Sequence, residues 1–121
     1  MSAPSEVTVD LQQLGTAMVE AVRKAIAGRA VQKAVIEEEL RRMAGALAHI
    51  GELLARGVIH RKRAEEMVRT YRTALGGILR SAEGMTHLAA GAALTAAMRA
   101  AGAVVNRIAG IKLIETERKN A

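Results

Sequence analysis

The sequence predicts an all-α protein of long helices, packed as a helical hairpin or bundle with an N-terminal helical arm and assembling with other subunits. Three observations carry that expectation. The 121 residues include one proline, Pro4, so beyond it no residue lacks the backbone donor a helix needs. After Val7, apolar residues recur at alternating spacings of three and four, with no period-2 strand pattern. Tyr71 is the single aromatic residue, so buried area must come from Ala, Leu, Val, Ile and Met. Such thin side chains suit closely packed helices, often across subunits. The length corresponds to one domain.

Residues 1–9 are expected to be a flexible N-terminal segment. The opening MSAPSEVTVD has neither the basic start nor the apolar middle of a secretion signal. Asp10 can cap a helix over about 10–28, with Leu11, Leu14, Met18, Val22 and Ala25 on one face. A second helix over about 31–56 has the cleaner seam. Ile36, Leu40, Met43, Leu47, Ile50 and Leu54 follow a heptad core pattern and are expected to be partly buried against another subunit. Gly57 breaks it. A third helix over about 61–116 runs through Ala64, Val68, Tyr71, Leu75, Ile78, Ala82, Met85 and Ala89.

The first two seams are in phase, and Arg29, Gln32 and Lys33 occupy the seam positions between them. Either the chain turns at Gly28 to Ala30, or one long helix carries a basic interruption on its buried face. A turn is favoured, because Gly28 is a helix stop signal and an arginine in a core is costly. Both versions single out Arg29 and Lys33.

The stretch AAGAALTAAMRAAGAVVNRIAG, from Ala89 to Gly110, has the small apolar composition of a close-packing surface. A membrane span is not expected, since Arg99 and Arg107 would each cost a few kcal/mol near mid-bilayer. In one continuous helix Gly77, Gly84, Gly91 and Gly102 fall within about 40° of one another. Each helical glycine costs roughly 0.5–1 kcal/mol relative to alanine, so their alignment predicts a close partner along that line. Another helix would fit, packing through small residues. So would a nucleic-acid backbone, with Arg80 and Arg99 reaching phosphates from the sides.

The formal charge is +6 and the sequence pI is near 10.5, which points to a polyanionic partner. Arginine outnumbers lysine by 13 to 5, favouring guanidinium forks on phosphate. Between Arg56 and Ala82 seven basic residues face only Glu65 and Glu66. No aromatics interleave with them, which argues against base stacking on single strands. No short recognition helix sits between tight turns. The expected partner is therefore double-stranded DNA, held by sequence-independent phosphate contacts from Arg29, Lys33, Arg61, Lys62, Arg63, Arg69, Arg72, Arg80 and Arg99.

Catalysis is not expected, and neither is a cofactor, a metal or a small-molecule substrate. The chain has no cysteine, and His49, His60 and His87 are scattered without zinc-ligand spacing. Glu37, Glu38 and Glu39 followed by Arg41 and Arg42 read as a solvated, paired helix face. Few amides and a Glu-rich acidic set are compatible with a hot habitat, or with a GC-rich genome.

The segment AAGAVVNRIAGIKL, from Ala100 to Leu113, resembles the Gly- and Ala-rich Asn-Arg-Ile segment of the major coat proteins of archaeal filamentous and rod-shaped double-stranded DNA viruses. That resemblance implies a helical arm, paired coat subunits clasping A-form duplex DNA, and residence in a virion assembled in the host cytoplasm. The chain lacks the prolines and aromatics common in that group. The alternatives from the residues alone are a cytoplasmic nucleic-acid scaffold, such as a ribonucleoprotein subunit or nucleoid protein, and a dimerising helical interaction module.

Overall fold

The computed structural model describes residues 4–27, 33–82 and 84–115. Its four helices are α1 (Pro4–Ala25), α2 (Lys33–Ala55), α3 (Arg61–Ser81) and α4 (His87–Ala109). There is no strand among the described residues. Arg23 reaches Glu37 and Gly15 lies against Arg41, so α1 and α2 run antiparallel. Gly76 lies against Leu94, and Val68 shares a cleft with Met98, which makes α3 and α4 antiparallel as well. The result is an up-down-up-down bundle. The reversal between α1 and α2 agrees with the expected turn, although Arg29 lies outside the described residues, as do the residues flanking it.

Two boundary expectations are corrected. Helix α1 begins at Pro4, where the missing donor of proline is harmless and its φ is already helical, so residues 4–9 extend the helix. The single helix expected over 61–116 is two helices. Ser81 Oγ donates to the Gly77 carbonyl, Ala82 turns extended, and Gly84 takes a φ of 85° that a side chain would disfavour. Thr86 then caps α4, its hydroxyl accepting from the Ala89 amide at 3.1 Å. At the other end Gly110, with a φ of 77°, closes α4 through its amide on the Asn106 carbonyl.

The N-terminal helix is also not an arm. Leu14, Met18, Val19, Val22 and Ile26 are buried, and α1 packs on both α2 and α4. The α2 seam is likewise satisfied within the chain: Ile36, Leu40, Met43, Leu47 and Ile50 are buried, and Leu54 is half-buried. Each such aliphatic side chain contributes about 1.5–3 kcal/mol by leaving water. The expectation that this seam needs a second subunit therefore does not hold.

Helix α4 explains how so few large side chains close a core. It packs against all three other helices, while α1 and α3 do not touch among the described residues. Ala89, Ala90, Ala93, Ala97, Ala101 and Gly102 are buried along it, and their small size lets three neighbours approach one axis. One close approach is to α2. A Cβ placed on Gly51 would sit 3.3 Å from the Val105 carbonyl oxygen and 3.3 Å from Ile108 Cγ2.

After Gly110 the chain folds back and buries Leu113 and Ile114. Asn106 holds that hairpin: its Oδ1 accepts from the amides of Leu113 at 2.8 Å and Ile114 at 2.7 Å, and its Nδ2 donates to the Ile114 carbonyl at 2.8 Å. Arg61 adds a longer bond to the Lys112 carbonyl at 3.3 Å. Asn106→Ala takes the side-chain partner from the Ile114 amide and carbonyl, while the Leu113 amide keeps its bond to the Ile111 carbonyl at 3.0 Å. It should cost about 2–3 kcal/mol, read by urea denaturation.

Candidate nucleic-acid interface

Helix α3 buries Ala64, Val68, Leu75, Gly76 and Leu79. With about 100° per residue, Lys62, Arg69, Arg72 and Arg80 fall toward the α4 side of that stripe, and Arg61, five turns before Leu79, lies in line with the stripe itself. Arg63 falls on the opposite flank and approaches Glu66 at 3.7 Å. Arg61 is committed to the fold, through Glu65 at 3.1 Å and the Lys112 carbonyl.

Because α1 and α3 both pack on α4 but not on each other, one side of α4 stays open between them. Arg99 projects from it and borders two concavities against α3 and one against α1. The first is a cleft of about 800 Å³ where Arg99 meets Arg69, Arg72 and Thr95. In the second, Arg99 meets Arg80 and His87. Arg80 lies over Gly76, where an added Cβ would come within 3.1 Å of its Nη1. Against α1, Arg99 is joined by Lys24 and Glu20.

Ion pairs hold several basic residues elsewhere on the bundle, although Arg41, Arg56 and Lys24 have none among the described residues. On α1 and α2, Arg23 pairs with Glu37 at 2.7 Å, and Arg42 with Glu39 at 3.0 Å. The Glu37 hydrogen bond and charge push the Arg23 guanidinium still further above its already high pKa. Arg69, Arg72, Arg80 and Arg99 make no such pair with any described residue.

Four of the expected phosphate-binding residues thus come together around α4, and Lys62 lies on the same flank. Lys33 begins α2, and Arg29 is outside the described residues. The sequence reading missed the C-terminal hairpin, whose Leu113, Ile114 and Glu115 wall the cleft. Its signal was present in two apolar residues just after the stop at Gly110.

The glycine stripe is not a stripe. It required one continuous helix, and Gly84 lies in the turn that divides it. A Cβ on Gly77 or Gly91 would meet nothing within 4 Å, whereas Gly102 is buried. Gly15, Gly51 and Gly76, off the expected line, are tight. Gly91→Ala should therefore raise stability by about 0.5–1 kcal/mol, the helix-propensity gain. Gly51→Ala should lower it by about 1 kcal/mol through its clash with the Val105 backbone. Thermal melts of the two variants give the sign of each.

By length and composition α4 could cross a membrane, but 50% of its most apolar window is buried inside the bundle. The described residues contain no group of His, Asp and Glu able to hold a metal, and none buries a charged or polar side chain. No family model, curated protein or solved structure matches the chain.

Proposed function

We propose that this protein is a structural, non-enzymatic binder of duplex DNA that contacts the phosphate backbone without reading base sequence. The observation that carries the reading is the set of four arginines, Arg69, Arg72, Arg80 and Arg99, gathered around α4 without carboxylate partners. Guanidinium groups left unpaired in a protein of net charge +6 are free to form forks with phosphate oxygens. Two duplexes of unrelated sequence should bind with the same affinity, which a filter-binding comparison reads directly. A strong preference for one of them would overturn the proposal.

The narrower proposal is a coat subunit of a filamentous virion, in which DNA-bound copies also bind one another. Exposed Leu88 and Val35 are available for such contacts. The segment that carries the coat-protein resemblance is occupied with the fold itself, through the core residues of α4, the Gly110 cap and the Asn106 clamp. A second reading, a cellular nucleic-acid scaffold in the cytoplasm, is favoured by the closed core, which needs no second subunit. Electron microscopy with duplex DNA separates them: regular filaments support the coat, and scattered occupancy supports the scaffold.

A further inference from the structure

Both carboxylates that border the cleft between α3, α4 and the C-terminal hairpin are turned to other cations. Glu65 accepts from Arg61 at 3.1 Å, and Glu115 lies 2.9 Å from Lys112. Arg69, Arg72 and Arg99 are left without ion pairs in one concavity, three positive charges against two carboxylates, with the Thr95 hydroxyl beside them. The walls are apolar, formed by Val68, Met98, Leu113 and Ile114, each nearly buried. At about 800 Å³ the cleft falls in the size range of small-ligand sites.

A duplex presents a broad convex surface that would meet these arginines from outside and leave the apolar floor of the cleft uncovered. Three exposed guanidinium groups bordering one cleft with an apolar floor suit a compact anion with many acceptor oxygens, because several charge-assisted forks can close on it at once. We propose that this cleft binds a short run of linked phosphate groups, either a free oligophosphate or the phosphate chain of a nucleotide. The inference needs only the cleft and does not depend on duplex binding.

Isothermal titration of the full chain with sodium tripolyphosphate tests it. The expected result is one tripolyphosphate per chain, with affinity falling at least about tenfold in Arg72→Gln and in Arg99→Gln. Arg63→Gln removes the same charge from the opposite flank of α3 and should leave the affinity within about twofold. Equal weakening by Arg63→Gln and Arg99→Gln, or absence of saturable binding, would overturn the site. A nucleoside triphosphate titrated alongside distinguishes the sources: tighter binding assigns the nucleotide, equal or weaker binding the free chain. Loss of tripolyphosphate binding in Arg99→Gln with duplex affinity unchanged would keep the cleft and remove Arg99 from the duplex surface. Duplex binding without tripolyphosphate binding would do the reverse.

Discussion

Leu47→Asp is expected to unfold the chain, not merely to dissolve an assembly of folded subunits. Leu47 is 1% exposed in the middle of α2, and no described polar side chain is buried near it to receive a carboxylate. Losing the leucine alone costs about 2–5 kcal/mol, as any large-to-small change in a packed core does. An unpaired buried charge adds several more, against a total stability of about 5–15 kcal/mol for a domain. Circular dichroism at 25 °C should show the helical signal lost. Leu47→Ala should stay folded but lose about 2–5 kcal/mol of stability, read as a lowered urea midpoint. A helical, monomeric Leu47→Asp would mean that the α2 seam serves an interface after all.

Replacing Arg69, Arg72, Arg80 and Arg99 together by glutamine should weaken duplex DNA binding roughly a hundredfold at low salt, taking each exposed phosphate contact at up to about 1 kcal/mol. Stability should change by less than about 0.5 kcal/mol, because none of the four has an ion-pair partner to lose. A variant with Arg41, Arg42, Arg56 and Arg63 changed to glutamine loses the same net charge from other faces. Its binding should fall only a few-fold, by the long-range field alone. Filter binding of both variants beside the parent separates a local surface from bulk charge.

The seams were legible because packing follows spacing. Leu14, Met18 and Val22 on α1 and Ile36 to Ile50 on α2 face the core as their three-and-four pattern requires. The break after Ser81 was hidden for the same reason: Ile78, Ala82, Met85 and Ala89 keep the helical spacing straight through the turn. Gly84 and the cap at Thr86 were its local signals, but the apolar pattern masked them. The role of α4 followed from no single residue. Its alanines are core because three helices converge on them, a tertiary fact that composition expresses only as close packing.

The candidate site was legible as a charge excess and not as a place. Periodicity puts Arg69, Arg72 and Arg80 on one side of α3, but Arg99 joins them only because the chain reverses between α3 and α4. Pairing is equally invisible in sequence. Arg61 and Arg63 look like their neighbours in the chain, yet one holds the C-terminal hairpin and the other lies across the helix.

The salt dependence of duplex binding tests the central claim most directly. Four arginines on phosphates release counterions, so the logarithm of the binding constant should fall with the logarithm of salt concentration at a slope of about −3 to −4. That corresponds to roughly a hundredfold loss between about 50 and 200 mM. The slope should flatten toward zero in the Arg69, Arg72, Arg80 and Arg99 variant. A parent protein with no measurable duplex binding at low salt, or a variant with the parent's slope, would contradict the assignment.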